Sequence, residues 1–268
     1  VARVLGTIGE SARLLTVAGG EQRRRFKRAL AADGVSARIV PIRAETRVCQ
    51  TLVSGNLATE LVEEAALLCA SEVRAVLRAF GEELERADWL VLTGSVPRSC
   101  GDDFYGRLTK MARARGVPVA VDAQGRLLMR AVAERPSLVK INRAELQAAT
   151  GTSDPAELLH RGAEMVVITQ GAKPVVVCTG TRKWTVRPPA VRAVNPIGSG
   201  DAMLAGLVAG LHRGWDLRAA VQLGVACGAA NTLTETAGCV WKTDVRRLLR
   251  VVRRSGLRRP DQPGWFRG

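Results

Sequence analysis

Residues 195–201, with the sequence Asn-Pro-Ile-Gly-Ser-Gly-Asp, place a carboxylate directly after a glycine-rich turn. Two glycines around a serine allow successive backbone N–H groups to point at one ligand, and the apolar run at 202–211 predicts a helix whose N-terminal end adds partial positive charge. A phosphate that gains charge during transfer would be stabilised there, while Asp201 accepts the proton of an attacking alcohol. One interpretation of this spacing is therefore phosphoryl transfer to a hydroxyl group. The predicted anion-binding residues are Gly198, Ser199 and Gly200.

The same residues also fit a purely structural interpretation. Pro196 and the glycines would form a turn, and Asp201 would cap the helix that follows, because aspartate is among the residues preferred at helix N-termini. The motif alone favours neither interpretation, so the choice depends on the other motifs of the chain.

A second motif, Lys-Ile-Asn-Arg-Ala-Glu at 140–145, contains two oxygen-bearing side chains at the start of a predicted helix. Asn142 and Glu145 are three residues apart and share one helix face, where they could hold the water shell of Mg²⁺, a hard cation that keeps its waters. The same spacing also fits a capping box, in which each side chain binds the backbone N–H of the other residue. The position between a strand and the predicted nucleotide site favours magnesium.

Short apolar runs alternate with helical periods along the chain. This order predicts an α/β fold with a mostly parallel sheet and helices on both faces, in three layers. The predicted strands are 14–18, 89–93, 117–122, 138–141, 165–169 and 175–178. The predicted helices are 22–32, 65–85, 103–115, 126–134, 143–150, 201–213, 217–232 and 243–254.

Residues 38–63 have a different pattern. The run at 47–53 and the stretch after Ser54-Gly55-Asn56 predict a hairpin outside the main sheet. No repeat or linker divides the chain, so we predict one domain over 1–268, with 38–63 as a hairpin region and 255–268 as a basic tail.

Composition excludes several classes of protein. A chain of 268 residues that is 47% hydrophobic can bury a large core. It has no apolar run of membrane-spanning length and no leader-like start, so we expect a cytoplasmic protein without a membrane partner. Six scattered cysteines and two histidines without ligand spacing predict neither a disulfide framework nor a zinc site.

The net charge of +15 predicts anionic ligands. A phosphorylated substrate and ATP would fit this charge, and so would a nucleic acid. No zinc-finger spacing, RNA-binding motif or helix-turn-helix pattern is present, and aromatic residues make up only 4% of the chain. Nucleic acid is therefore not the expected partner.

Several of these motifs together resemble the ribokinase and phosphofructokinase B family of carbohydrate kinases. The turn at 195–201 resembles the C-terminal signature of the family, whose aspartate is the catalytic base, and this assigns that role to Asp201. Gly-Ser-Val-Pro at 94–97 resembles the turn Gly-Ser-Leu-Pro, which lines the sugar site and implies a substrate contact for Ser95. Arg98 stands where the family usually has proline, either as an additional cation for a phosphorylated substrate or as a surface change.

The resemblance extends to the nucleotide side of the site. Residues 140–145 resemble Lys-Pro-Asn-x-x-Glu, which supports Asn142 and Glu145 as the residues that hold Mg²⁺ through water. Residues 169–172 resemble the Thr-x-Gly turn under the phosphates of ATP, and positions in the last third lie where the family surrounds adenine. The implied cofactor-binding residues are Lys140, Asn142, Thr169, Gly171, Gly228 and Asn231.

Two short motifs in the hairpin region resemble those of the hexose-phosphate branch of the family, which includes 1-phosphofructokinase and tagatose-6-phosphate kinase. These are Glu-Thr-Arg at 45–47 and Ala-Thr-Glu-Leu at 58–61. They imply that Arg47 binds the phosphate already on the substrate, since guanidinium offers a fork of donors. The alternative is a hairpin arginine in solvent. The hairpin resembles a lid that often forms the dimer interface of the family, so we expect a homodimer through it.

The resemblance implies a ribokinase-like enzyme that transfers the γ-phosphoryl of Mg-ATP to a hydroxyl of a fructose or tagatose phosphate. The opening residues 1–6 resemble the continuation of the family's Gly-Gly-Lys-Gly-x-Asn-Val-Ala-Arg helix, so we expect the preceding strand and part of the sugar site to be absent. A fragment, a wrongly assigned start or a shortened protein would each explain this. The alternative function is therefore a shortened, non-catalytic nucleotide- or sugar-phosphate-binding relative.

Overall fold

The computed structural model describes residues 1–54 and 57–255. The predicted turn residues Gly55 and Asn56, and all but the first residue of the predicted basic tail, lie outside the described residues. The strands are β1 Arg13–Gly19, β2 Ser36–Ile42, β3 Cys49–Ser54, β4 Leu57–Val62, β5 Leu90–Thr93, β6 Val119–Asp122, β7 Leu138–Asn142, β8 Met165–Thr169, β9 Val175–Thr179 and β10 Lys183–Val186. The helices are α1 Ala2–Ile8, α2 Gly20–Ala32, α3 Ala70–Leu84, α4 Phe104–Arg113, α5 Gly125–Ala133, α6 Arg143–Thr150, α7 Ala156–His160, α8 Ser199–His212, α9 Leu217–Asn231 and α10 Lys242–Ser255.

The larger sheet has six strands in the order β10-β9-β8-β7-β6-β5. Strands β5 to β8 are parallel to one another, whereas β9 pairs antiparallel with β8 and β10 pairs antiparallel with β9. The central strands are continuous Val- and Ile-rich runs, as expected for strands that are buried on both faces. The prediction of a mostly parallel α/β sheet is therefore confirmed.

Helices cover both faces of this sheet. Val119 and Val121 belong to a core cluster with residues of α4, α5 and α6, whereas Ala120 belongs to a second cluster with residues of α8 and α9. Successive residues of one strand point to opposite faces, so this alternation produces the predicted three layers. In the described part of the chain, no helix combines the length and apolarity needed to cross a membrane.

Two smaller sheets accompany the larger one. Strands β1 and β2 are a parallel pair, and β3 and β4 form an antiparallel hairpin. The hairpin lies within the predicted region 38–63, but the first residues of that region belong to β2 instead. Pro41 obscured this strand in the sequence; it is tolerated because β2 pairs on one side only, with β1.

Other differences from the predicted elements are local. The helix predicted at 65–85 begins only at Ala70, because the Glu72 carboxylate accepts the backbone N–H of Cys69 and holds the preceding chain extended. The sequence also missed α7 and β10. Each is short, and β10 buries only Val186.

Helices α8 and α9 approach each other closely at glycines. A Cβ atom on Gly206 would lie 2.7 Å from the Cys227 sulfur and 2.8 Å from the Leu223 carbonyl oxygen, and one on Gly210 would lie 2.6 Å from the Cα of Ala220. Such distances leave no room for a side chain. The contact fixes the position of α8 and therefore of the glycine-rich turn at its N-terminus.

We predict that Gly206→Ala destabilises the protein by about 1–3 kcal/mol, because the added methyl group overpacks the contact between the helices. The matched control is Gly81→Ala in α3, where no atom lies within 4 Å of the added Cβ. That change should raise stability by up to about 1 kcal/mol, since alanine favours the helix. Urea unfolding of both variants measures the difference, and equal effects would contradict the close approach of α8 and α9.

Candidate active site

Polar residues end each of the four parallel strands. Thr93 and Asp122 end β5 and β6 and are register partners, and Asn142 and Thr169 end β7 and β8 and are register partners as well. These four side chains therefore lie along one edge of the sheet, the carboxyl edge at which ligands of open α/β sheets bind. The N-terminus of α8 meets this edge, because the Thr93 hydroxyl donates to the Asp201 carboxylate at 3.3 Å.

The glycine-rich turn before α8 has the backbone that its sequence predicts. Gly198 is left-handed, with a φ of 81°, and a Cβ there would lie 2.7 Å from the backbone nitrogen of Gly238. Both constraints require glycine. Ser199 and Gly200 form the first turn of α8, where backbone N–H groups lack intrahelical acceptors. The Ser199 N–H donates to the Pro196 carbonyl of the turn at 3.2 Å, which leaves the N–H of Gly200 to bind an anion.

Asn231 and Gly228 support this turn from behind. The side chain of Asn231 is buried, accepts the N–H of Gly238 at 2.7 Å and donates to the Ile197 carbonyl at 2.8 Å. A Cβ on Gly228 would lie 3.0 Å from the Ser199 carbonyl oxygen. The resemblance placed Gly228 and Asn231 around adenine. In the structure they contact the protein itself, next to the predicted anion site.

Lys140 reaches the turn from the interior of the sheet. This residue is buried in β7, and its ammonium donates to the Asp122 carboxylate at 2.5 Å. A Cβ on Gly200 would lie 2.7 Å from the Lys140 nitrogen. The positive charge of Lys140 is therefore next to the first turn of α8, where it adds to the partial charge of the helix.

Carboxylates surround this ammonium. Burial raises the pKa of Asp122, and the negative charges of Asp201 and Glu145 raise it further, whereas Lys140 lowers it. Two further carboxylates thus act on Asp122 at a site that holds the buried Lys140. Such an arrangement favours an additional cation.

Asn142 and Glu145 form the capping box that was one of the two interpretations of their spacing. Asn142 Oδ1 accepts the N–H of Glu145, and Glu145 Oε2 accepts the N–H of Asn142, both at 2.9 Å. Gln124 donates to the other carboxylate oxygen at 2.6 Å. Each oxygen has a second lone pair, so this oxygen donor set fits the water shell of Mg²⁺.

The turn between β1 and α2 positions the residues that precede Arg47. The Glu45 carboxylate accepts the backbone N–H groups of Glu21 and Gln22, and the Thr46 hydroxyl bonds to both backbone groups of Gly19. These contacts fix residues 45–46 on the body of the protein.

Arg47 and Ser95 meet at this position. The Arg47 guanidinium donates to the Ser95 hydroxyl at 2.7 Å, and a longer contact of 3.5 Å joins it to the Glu63 carbonyl. The structure therefore brings together two residues that the sequence assigned separately to substrate binding. It also shows Arg47 half-buried, which differs from a hairpin arginine in open solvent.

Arg98 lies apart from this pair. It begins a 3₁₀ turn and forms an ion pair with Glu64 at 3.1 Å, with both side chains about four-fifths exposed. An exposed ion pair of this kind contributes little free energy. Within the described residues, no hydrogen bond or ion pair joins Arg98 to another predicted site residue.

A cavity of about 480 Å³ opens beside the ends of β7 and β8. It is lined by Asn142, Arg143, Ala144, Gln147, Ser153, Thr169, Gln170 and Gly171. The cavity brings together three of the residues predicted to bind the nucleotide. Arg143 was not predicted; its only signal was a basic residue next to Asn142, and its guanidinium donates to Gln170 at 3.1 Å.

A carboxylate beside a glycine-rich turn, above the ends of parallel strands, is the arrangement expected of a phosphotransferase. The chain belongs to the pfkB family of carbohydrate kinases, whose family profile matches residues 1–243. The prediction of a ribokinase-like carbohydrate kinase is therefore confirmed.

Similar proteins that are named phosphofructokinases support the assignment to this family. The chain is 29% identical to the ATP-dependent 6-phosphofructokinase isozyme 2 of Mycobacterium tuberculosis, over 99% of this chain and 81% of the relative. It is 26% identical to the 1-phosphofructokinase of Bacillus subtilis, over 89% of this chain and 81% of the relative. The crystal structure of a mutant of phosphofructokinase-2 from Escherichia coli superimposes with a TM-score of 0.83 and 25% identity, over 94% of this chain and 85% of that one.

We predict that Lys140→Met makes stability depend on pH. Loss of the ammonium leaves Asp122 buried without its partner, at a cost of about 3–5 kcal/mol. The pKa of Asp122, already raised by burial, then rises further. Between the ordinary aspartate pKa and the raised value, the folded state holds the proton more tightly than the unfolded chain, so the free energy of unfolding falls as pH rises.

Urea unfolding from pH 4.5 to 8 measures this dependence. The double variant Lys140→Met/Asp122→Asn is the control, because it removes the titrating group and should recover part of the lost stability. A difference between Lys140→Met and the unaltered protein that stays constant across this pH range would contradict the prediction.

Proposed function

We propose that this carbohydrate kinase transfers the γ-phosphoryl group of ATP to a hydroxyl of a phosphorylated ketohexose, a fructose or tagatose phosphate. The observation that carries the proposal is the convergence of Asp201, the glycine turn and the Arg47–Ser95 pair at one end of the sheet. The names of the relatives, which are phosphofructokinases, support a sugar phosphate as the acceptor.

Asp201 is the general base of this proposal. Its carboxylate accepts the proton of the attacking hydroxyl, and the hydrogen bond from Thr93 fixes one of its oxygens. The second oxygen is left for the substrate. Because Thr93 ends a strand of the main sheet, the base is oriented by a rigid element.

The turn before α8 stabilises the transferring phosphoryl group. The backbone N–H of Gly200 and the nearby ammonium of Lys140 are already in place before the reaction. Donors that need no rearrangement stabilise developing negative charge effectively. Asp122 holds Lys140 in position, and Asn231 with Gly228 holds the turn.

ATP and Mg²⁺ are the proposed co-substrate and cofactor. Thr169, Gly171 and Asn142 line the cavity beside the turn, where the nucleotide would lie. When bound, Mg²⁺ neutralises phosphate charge and orients the transferred group. Asn142 and Glu145 would hold its water shell, since their oxygens point from a rigid capping box.

The phosphate already on the acceptor is proposed to bind Arg47. Guanidinium binds phosphate through two parallel hydrogen bonds, and Ser95 adds a hydroxyl next to it. Arg98 is kept as a second, weaker candidate, because its ion pair with Glu64 must open before it can bind an anion.

The test of the proposed function is Mg²⁺-dependent ADP formation with fructose 1-phosphate, fructose 6-phosphate, tagatose 6-phosphate, fructose and ribose. Turnover should require one of the three sugar phosphates. Turnover with only unphosphorylated sugars would refute the proposed acceptor, and ATP binding without any turnover would favour a non-catalytic relative.

We predict that Asp201→Asn lowers kcat by about 10²–10⁴-fold, the range expected when a general base is lost. ATP affinity should stay the same, since the amide preserves the shape of the side chain. The matched control is Asp216→Asn, which changes an aspartate at the N-terminus of α9 that accepts only the N–H of Ala219. An Asp201→Asn enzyme with unchanged kcat would remove this residue from the mechanism.

We predict that Arg47→Ala raises the KM for the sugar phosphate by about 10–100-fold, since charge-assisted hydrogen bonds contribute about 1.5–3 kcal/mol. Arg98→Ala should have a smaller effect, because its ion pair with Glu64 must open before it can bind an anion. The control is Arg161→Ala, which removes an exposed arginine paired with Glu157 and should leave the KM unchanged. Steady-state kinetics at saturating ATP measure all three variants. If Arg98→Ala gave the larger effect, the two arginines would exchange their assigned roles.

We also propose a homodimer through the β3–β4 hairpin. Leu52 and Leu61 are more than half exposed and lie on the same face of the hairpin, as the strand register requires. Exposed apolar surface of this kind marks interaction sites. Sedimentation should find a dimer that Leu52→Glu/Leu61→Glu converts to a monomer; a monomeric unaltered chain would refute the proposal.

A further inference from the structure

The turn after β5 carries two parts of the proposed site. Thr93 donates to the base Asp201, and Ser95 accepts from the phosphate-binding Arg47. Gly94 lies between them with a φ of 85°, a left-handed conformation that permits a sharp turn. The positions of the Thr93 and Ser95 side chains therefore depend on the backbone conformation of this turn.

A buried phenol holds that backbone. Tyr105, which lies in the first turn of α4 and is only 5% exposed, is the only tyrosine of the chain. Its hydroxyl donates to the carbonyl oxygens of Thr93 at 2.8 Å and Gly94 at 3.0 Å. One hydroxyl thus holds two successive carbonyls of the turn that links Thr93, which contacts the base Asp201, to Ser95, which contacts Arg47. We call Arg47 and Ser95 the substrate-phosphate clamp.

We infer that Tyr105 is a positioning residue that couples the base to the substrate-phosphate clamp, an inference that rests on the proposed function. The phenol touches neither reacting group. It acts by fixing the carbonyls of Thr93 and Gly94, so that the Thr93 hydroxyl stays on Asp201 and the Ser95 hydroxyl stays on Arg47.

The surroundings of the phenol favour this role. Burial raises the pKa of Tyr105, and the negative charge of Asp122 raises it further, so the hydroxyl stays protonated and remains a donor at neutral pH. Two carbonyl oxygens would otherwise lose their common donor in a partly buried setting. The ring itself belongs to the core cluster and would pack equally well as phenylalanine.

The test is Tyr105→Phe, which removes one oxygen atom and keeps the ring. We expect kcat to fall and the KM for the sugar phosphate to rise, each by about five- to tenfold, while the KM for ATP stays within twofold. The matched control is Thr109→Val, which removes a buried hydroxyl one turn further along α4 that bonds only to the Tyr105 carbonyl. It should lose comparable stability and keep both kinetic constants.

A double-mutant cycle separates positioning from general stability. If Tyr105 acts through Thr93, then Tyr105→Phe should have a smaller effect on kcat in a Thr93→Val background than in the unaltered protein. If Tyr105→Phe lowered kcat by the same factor in both backgrounds, the inference would be overturned. So would a Tyr105→Phe enzyme with the kinetic constants of Thr109→Val.

A second variant keeps the test valid if Tyr105→Phe does not fold. Gly94→Ala has open space for its Cβ but strains a left-handed backbone, so it should shift the same turn and raise the sugar-phosphate KM without changing the ATP KM. Normal kinetics in Gly94→Ala would also overturn the inference. If the unaltered chain neither turns over nor binds a sugar phosphate, the proposed function fails and this inference fails with it; an active chain with an equally active Tyr105→Phe variant refutes the inference alone.

Discussion

The close contact between α8 and α9 is the constraint on which the site depends. Glycines on both helices remove the side chains that would otherwise separate the backbones. As a result, the N-terminus of α8 lies against the ends of the parallel strands, where Thr93 reaches Asp201 and the Lys140 ammonium reaches Gly200. A wider spacing would leave the helix intact but would separate the base from the strand that orients it.

Charge at the site is opposite to charge on the protein as a whole. The chain has a net charge of +15, yet the negative charges of Asp201 and Glu145 both act on Asp122, which is paired with the buried Lys140. The general positive field attracts anionic substrates, whereas the local carboxylates require a cation before two anions can come together. The two features suit an enzyme whose substrates both carry phosphate.

Local motifs could be predicted from the sequence because each function there depends on neighbouring residues. The glycine turn with Asp201, and the pair Asn142 and Glu145, are complete within seven residues of chain. For the pair, the structure shows the capping box, while the magnesium role remains a proposal. Periodicity likewise predicted the central strands, since buried strands need continuous apolar runs.

Contacts between distant elements could not be predicted in the same way. The pairing of Asp122 with Lys140 across β6 and β7, and the position of Tyr105 against the end of β5, appear only when the fold is known.

The residues proposed to bind the acceptor phosphate and those proposed to transfer the phosphoryl group are anchored in part separately. Glu45 and Thr46, next to Arg47, are fixed at the β1–α2 turn, whereas the glycine turn before Asp201 is fixed by Asn231 of α9. The turn after β5 contacts both Arg47 and Asp201, so changes that spare this turn can alter the proposed acceptor side while the contacts of the glycine turn are preserved. In evolutionary terms, this division allows a family to diversify its substrates without rebuilding its chemistry.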